Sequence, residues 1–510
     1  MEDMIKLRDI GSVIADDVSP SFDVFRFKAL ANEYVHPGSL VASAINNQTF
    51  ILGRISGSIE INPHESPSRT AVRHAMQIEA DYPGEELSTT VYRIYEADII
   101  EQGIITKSGV EIIEPMDMAK AGQPVFIPNE EVISKAMGFE KESTNALVMG
   151  HTRITGENLT EDEEEIRENV LLKPDFIQRH VFVGGTTGSG KSFATGILIE
   201  EISKFKVPVV ILDSQNEYIS LTEELEGRVL RPGVDYTVRL SSLIESEVLD
   251  LVPTLRGTVG YELLAFSFLA LKREIRERAR QEFGLTDLIR RMESDAPTLE
   301  VKESSLRLAL MRTQSSIYRH DFIGERTNWV ELIKRYPVIN IDCARLDLSQ
   351  LQLVVGATLR ELQNLRLKKE IPPYVIVLDE AHLLVPEGED TACKQVIREN
   401  VRIGRHYGIC MILITQSPVD IDKKTIRQCN TRFIFALEPD QLQALQGIKA
   451  DATEEMLQRL PKMPRGTCIL SGTYETIKHA IPIKIRSKRK TTPGGVAPDI
   501  FKEVKEVWKK

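Results

Sequence analysis

Gly185-Thr-Thr-Gly-Ser-Gly-Lys191-Ser192 decides the reading of this chain. The octapeptide fits G-x-x-x-x-G-K-[ST], in which glycines let the backbone turn tightly and aim N–H groups at phosphate oxygens. About 0.02 chance matches are expected in a chain this long from average composition. His180-Val-Phe-Val183 before it reads as a buried strand, and Phe193-Ala-Thr-Gly-Ile-Leu-Ile-Glu200 after it as the opening of a helix. Strand, glycine loop and helix start together make an anion cradle, because the helix N-terminus adds unpaired N–H groups and a positive dipole end. The cradle is assigned to Gly185, Thr186, Thr187, Gly188, Ser189, Gly190, Lys191, Ser192 and Phe193. Lys191 is expected to reach the β- and γ-phosphates of ATP, and the Ser192 hydroxyl to sit on Mg²⁺.

Tyr374-Val-Ile-Val-Leu-Asp379-Glu380 is an apolar run ending in two acids. Such a run reads as a buried parallel strand. Asp379 is expected to hold Mg²⁺ through water, and Glu380 to polarise the attacking water. A lone Asp serves binding; the adjacent Glu points to hydrolysis.

Strands alternate with helices around these motifs. Val207-Pro-Val-Val-Ile-Leu-Asp213 is a second buried strand, followed by Glu217-Tyr218. Pro337 to Asp342, Gly408 to Gln416 and Thr431 to Ala436 read as further strands, and 351–369 as a helix. This alternation predicts an α/β fold: a RecA-like core with a parallel sheet covered by helices on both faces. Ligands bind such sheets at the carboxyl ends of the strands, where the glycine loop, Asp379-Glu380 and Gln416 all fall. Gln416 is a candidate γ-phosphate sensor, since an amide both donates to phosphate oxygen and accepts from water; a strand-end Gln bonded to nearby backbone is the alternative. Arg402 and Arg405 lie between the acid strand and the Gln strand. They are candidates to neutralise developing phosphoryl charge in a neighbouring subunit, or else ordinary cations at a helix C-terminus. Lys423, Lys424 and Arg427 are weak candidates for a DNA-contacting loop.

Elsewhere the pattern changes. Residues 1–150 carry short Val/Ile/Phe/Tyr runs between turn residues, as in Phe22-Asp-Val-Phe-Arg-Phe and Phe50-Ile-Leu-Gly-Arg-Ile. They predict a small β-barrel. The acidic run at 160–165 reads as a solvated loop. Residues 151–242 and 336–483 form the two parts of the core. Residues 243–335 read as an inserted helical subdomain, with helices over 261–283, 285–293 and 299–319. Asp287 and Ser304 are placed near helix starts. The basic residues Lys272, Arg273, Arg276, Arg278, Arg280, Arg290 and Arg291 face DNA or a partner, or form an ordinary charged face. Residues 484–510 read as a basic, solvated tail with a flexible linker and a short helix from 497 that braces a neighbour.

Bulk properties set limits. At 510 residues, two or three domains are expected. The net charge of −11 means that any DNA contact needs local positive patches, such as a pore lining. Five scattered cysteines without a C-x-x-C pair favour small buried residues in a reducing compartment. No apolar stretch approaches bilayer length, and Met1-Glu-Asp-Met-Ile-Lys-Leu does not read as a signal peptide. A soluble, cytoplasmic protein without a membrane partner is expected.

The ordered set of motifs resembles the HerA branch of the FtsK/HerA superfamily of DNA-pumping ATPases over nearly the whole chain. The resemblance rests on Ile10-Gly-Ser-Val-Ile and Leu52-Gly-Arg-Ile in the barrel, and on Arg179 to Ser192 around the glycine loop. It extends to Val375 to His382, Gly404-Arg405-His-Tyr-Gly-Ile409, Ile414-Thr-Gln416 and Gln428-Cys-Asn-Thr431. One departure is Asn216, where the family often has Gly before Glu-Tyr. The resemblance implies a homo-hexameric ring with ATP sites between subunits and double-stranded DNA in the channel. It implies an arginine finger from the 402–405 segment, and a NurA-type nuclease docked on the barrel for end resection in double-strand break repair. The expected activity is ATP-driven translocation or unwinding of DNA. A nucleotide-gated ring scaffold and a pump for another polymer are the alternatives.

Overall fold

Period-two and fully apolar strand patterns divide the chain as the computed structural model places it, over residues 5–16, 19–30, 33–61, 92–153, 169–325, 327–445, 451–473, 477–487 and 489–492. The acidic run at 160–165 and the terminal helix from 497 lie outside the described residues. In chain order the strands are β1 (Lys6–Ile14), β2 (Val24–Ala29), β3 (Leu40–Ala44), β4 (Thr49–Ile61), β5 (Tyr92–Thr106), β6 (Gly109–Ile113), β7 (Pro124–Pro128), β8 (Leu147–Thr152) and β9 (Val170–Leu172). There follow β10 (His180–Gly184), β11 (Val209–Asp213), β12 (Arg228–Leu230), β13 (Val338–Asp342), β14 (Tyr374–Leu378), β15 (Ile409–Thr415), β16 (Cys429–Ile434), β17 (Thr467–Gly472) and β18 (Ile481–Ile485). They fall into two compact units, one of Met1–Phe176, Thr186–Gly190 and Thr431–Lys488, the other of Ile177–Gly185, Lys191–Asn430 and Arg489–Lys510.

In the first unit, β1 to β7 form an antiparallel sheet of order β2-β1-β7-β3-β4-β5-β6, and a further β2–β5 pairing closes it into a barrel. Alternate residues point inward: Phe25, Phe27, Ile51, Ile55, Tyr95, Val125 and Ile127 fill the interior. The same unit holds an antiparallel run of order β16-β17-β18-β8-β9.

The second unit is built on six parallel strands in the order β12-β13-β11-β14-β15-β10. Five of them, β10, β11, β13, β14 and β15, are buried at every position, as strands covered on both faces must be. The glycine-loop strand β10 and the acid strand β14 are not neighbours; β15 lies between them. Register aligns their ends: Gly184 pairs with Thr415, and Leu378 with Leu413. The next residues, Gly185, Asp379-Glu380 and Gln416, therefore emerge along one edge.

The helices used below are α1 (Lys191–Ser203), α2 (Val259–Arg276), α3 (Leu285–Asp295), α4 (Glu303–Tyr318), α5 (Leu348–Leu367) and α6 (Ala392–Tyr407). The inserted helices α2, α3 and α4 pack on one another. The first stops at Arg276, short of the expected Phe283. Arg278 has φ 60, which turns the chain back so that Phe283 meets Phe268 edge-on at 5.5 Å between ring centroids. Asp287 does cap, accepting the Gly284 N–H at 3.0 Å, whereas α4 begins after Lys302 without help from Ser304. Three members of the basic set are engaged internally. Arg280 pairs with Glu274 and Asp287, Arg291 with Glu274 and Asp295, and the Lys272 ammonium donates to the carbonyls of Ser241 and Leu243. Burial brings Lys272 down to about 8, helped by the charge of Arg360. All five cysteines are buried thiols. No helix among the described residues is long and apolar enough to cross a membrane.

Candidate active site

The glycine loop turns where its sequence permits. Gly188 (φ 77) and Gly190 (φ 111) occupy left-handed backbone that a side chain would strain. Ser189 folds the turn on itself, its N–H and hydroxyl both donating to the Thr186 carbonyl. Helix α1 then starts at Lys191.

Lys191 is 8% exposed. Burial lowers its pKa, while Glu380, Glu217 and Asp379 pull the other way. The ammonium thus feels the charge of three carboxylates near the strand edge. Asp379, 4% exposed, is pushed up to about 8, first by burial and then by the charges of Glu217, Glu380 and Asp213; a 3.0 Å hydrogen bond from the Ser214 hydroxyl opposes this. Glu380 is in left-handed backbone (φ 46, ψ 49) and 7% exposed. Its Oε1 accepts from Gln215 Nε2 at 2.9 Å.

The sequence reading noted Asn216 and Glu217 but gave no place in the site to the element that organises these groups, Ser214-Gln215-Asn216-Glu217. Asp213 at the end of β11 is fully buried and accepts the N–H groups of Gln215, Glu217 and Tyr218, at 3.2, 3.1 and 2.9 Å, and the Asn340 amide. Burial raises Asp213, and these donors act against that. The anchored loop delivers Ser214 to Asp379, Gln215 to Glu380 and Glu217 to the Ser192 hydroxyl. Burial raises Glu217, and the bond from Ser192 opposes it. Asn216 has φ 61. Asn tolerates this region second only to Gly, which accounts for the departure from the family's Gly. The polar run directly after a buried strand, at the edge where ligands bind, was the available signal.

The remaining candidates are more dispersed. Gln416 is exposed just past β15. Thr415 beside it shares a 3.1 Å hydrogen bond with His382 Nδ1. Arg402 and Arg405 lie exposed on α6 and form no ion pair or hydrogen bond among the described residues. Arg398 on the same helix differs: it pairs with Asp422 at 2.6 Å. Lys423, Lys424 and Arg427 are exposed on the short helix Lys423–Arg427. His180 is buried and accepts the Met411 N–H at 3.1 Å, joining β10 to β15. Burial holds it down to about 4, so it is a neutral strand fastener. The expected solvated basic tail is tied down in part: Arg489 is buried against Glu200 of α1 at 3.2 Å.

Comparisons with known proteins bear on the family and the fold. The family described as "Helicase HerA, central domain" matches residues 156–362, and the AAA-like domain family matches 353–485. Among curated proteins, the probable helicase MJ1565 of Methanocaldococcus jannaschii is 24% identical over 373 residues, covering 69% of each chain. The DNA double-strand break repair helicase HerA of Sulfolobus acidocaldarius is 21% identical over 480 residues, 85% of this chain and 92% of its own. That of Sulfurisphaera tokodaii is 23% identical over 409 residues, 76% and 77%. Among solved structures, VirB4 of Thermoanaerobacter pseudethanolicus superimposes with a TM-score of 0.51 at 16% identity, over 69% of this chain and 98% of that one, a likeness of fold. The chain is a distant relative of the archaeal HerA helicases, with a HerA-type central domain over residues 156–362, and a P-loop enzyme of the kind that hydrolyses ATP.

Proposed function

We propose that this chain is an ATP-driven motor on double-stranded DNA, working as a homo-hexameric ring in the cytoplasm and serving end resection with a NurA-type nuclease in double-strand break repair. The observation that carries the motor reading is a pair of arginines, Arg402 and Arg405, exposed and unpaired on the helix between the acid strand and the Gln strand. A guanidinium without a partner in its own chain suits a neighbour's phosphoryl-transfer site, where it offsets developing charge.

Within one subunit, the N–H groups of residues 185–193 cradle the phosphates and Lys191 reaches the β- and γ-phosphates. Glu380 accepts from the attacking water, and Gln416 donates to the γ-phosphate. The residues fit Mg²⁺: like charges crowd at Asp379, and the Ser192 hydroxyl oxygen is free to ligate while its proton goes to Glu217. No cluster of three or more His, Cys, Asp or Glu among the described residues is arranged to hold a metal alone, which accords with a cation that takes few protein ligands and several phosphate and water oxygens. When bound by Ser192 and Asp379, Mg²⁺ would supply charge neutralisation at the phosphates. Loss of the γ-phosphate changes what the arginines grip, and the exposed Lys423, Lys424 and Arg427 are the candidates for following DNA backbone. Such contacts make binding salt-sensitive and largely independent of sequence.

The test mixes Arg405→Ala subunits into wild-type assemblies and measures DNA-stimulated ATP turnover. A shared site predicts loss steeper than the fraction of variant, with Arg402→Ala tested in parallel. Strictly proportional loss, or a strictly monomeric protein at full rate, refutes it. Turnover indifferent to duplex DNA but stimulated by another polymer favours the alternative pump.

A further inference from the structure

We infer that Gln215 is a positioning residue for ATP hydrolysis: its amide pins one oxygen of Glu380 so that the other is presented to the attacking water. The inference rests on the reading of Glu380 as the residue that polarises water, and deepens it.

The two oxygens of this carboxylate are not equivalent. Oε1 accepts the Gln215 amide at 2.9 Å. Oε2 is buried and has no hydrogen-bond partner. Its close neighbour is His382 Nδ1 at 3.2 Å, off hydrogen-bond alignment and already engaged with the Thr415 hydroxyl at 3.1 Å. Buried carboxylate oxygens are rarely left without donors, and one that is left so at a strand edge carrying Lys191 and Asp379 is an acceptor awaiting a ligand or water. A carboxylate turns easily about its terminal bond, so a fixed donor on one oxygen is what decides where the other points.

Gln215 is such a donor. Its N–H is held by Asp213, as are those of Glu217 and Tyr218 in the same turn, and Asn216 adopts the left-handed conformation that bends the loop back. The acceptor is equally fixed, since Glu380 itself sits in left-handed backbone (φ 46). Backbone in that region is costly for a side-chain-bearing residue and persists where the surroundings over-determine it. Donor and acceptor are thus set before substrate arrives, and preorganisation of this kind is what orients reactants.

The test compares Gln215→Leu, Glu380→Gln and the double variant in steady-state ATP turnover with duplex DNA, alongside affinity for a non-hydrolysable ATP analogue and melting temperature. Gln215→Leu keeps the bulk and removes the donor. A misplaced reacting group costs on the order of 100-fold, so kcat should fall roughly 10- to 100-fold, with KM, analogue affinity and melting temperature unchanged. The double variant should be no worse than Glu380→Gln alone. Wild-type or faster turnover by Gln215→Leu overturns the inference, as does a loss confined to KM or one that multiplies with Glu380→Gln. If Gln215→Leu does not fold, Gln215→Met removes the same donor and is judged by the same criteria. Normal turnover by Glu380→Gln sinks the role of Glu380 itself, a distinct result.

Discussion

Gly196→Ala should destabilise the protein, although helix propensity predicts the opposite. Gly196 lies inside α1, one turn before Glu200 on the same face. The Glu200 carboxylate, 2% exposed, accepts from Arg489 Nε at 3.2 Å, the Lys490 N–H at 3.2 Å, the Thr491 N–H at 2.9 Å and the Thr491 hydroxyl. A Cβ on residue 196 would fall 2.2 Å from the Arg489 guanidinium carbon and 2.4 and 2.6 Å from its terminal nitrogens. In a helix interior alanine is better than glycine by about 1 kcal/mol. Against this, Arg489 must leave, and removing one partner of a buried pair costs about 3–5 kcal/mol. The three other donors to Glu200 put the cost near the low end, so the net loss should be roughly 2 kcal/mol. In a chain already carrying Arg489→Ala the clash is gone, and Gly196→Ala should stabilise by about 1 kcal/mol. Scanning calorimetry of the four proteins reads this directly. At roughly 2–4 °C per kcal/mol, melting should fall by about 4–8 °C in the wild-type background and rise by about 2–4 °C in the Arg489→Ala background. Shifts of the same sign in both backgrounds would refute the reasoning.

Lys191→Ala should abolish ATP turnover while leaving the melting profile of the barrel unit intact; hydrolysis at the normal rate would overturn the site assignment. Asn216→Gly should leave stability nearly unchanged, whereas Asn216→Val should cost about 1–2 kcal/mol because β-branched residues resist left-handed backbone; equal melting temperatures for the two would contradict the conformational argument. In the barrel unit, His479 lies 3.0 Å from Glu101 and 3.6 Å from Asp451, with Arg54 and Lys478 also facing those acids. Burial disfavours the imidazolium, but hydrogen bonds to Asp451 and Glu101 outweigh it and raise the pKa. A raised imidazole stabilises the fold fully below about pH 6.5 and loses that contribution as pH climbs through the raised value. The melting-temperature gap between wild type and His479→Gln should therefore shrink from pH 6 to pH 9 on the order of those limits; a constant or widening gap would count against it.

The sequence alone located the two motifs at strand ends. Gly185 to Ser192 and Asp379-Glu380 were legible there because their signal is local composition: glycines where backbone must turn, and charged residues directly after apolar runs. The parallel sheet was legible because strands buried on both faces leave continuous apolar stretches, and the barrel because its strands alternate. Three things were decided only by tertiary structure. The loop Ser214–Glu217 became part of the site because strand order places β11 beside β14, a pairing of residues 165 apart in the chain for the bonds to Asp379 and Glu380. Arg280 and Arg291 of the inserted helices found their partners in Glu274, Asp287 and Asp295, because a charge's partner depends on which helix faces pack. Arg489, read as part of a solvated tail, was buried against Glu200 across 289 residues. Local backbone preferences and hydrophobic period act over a few residues and are written in the string; the pairing of a buried charge is set by which surfaces meet, and sequence distance carries no record of that.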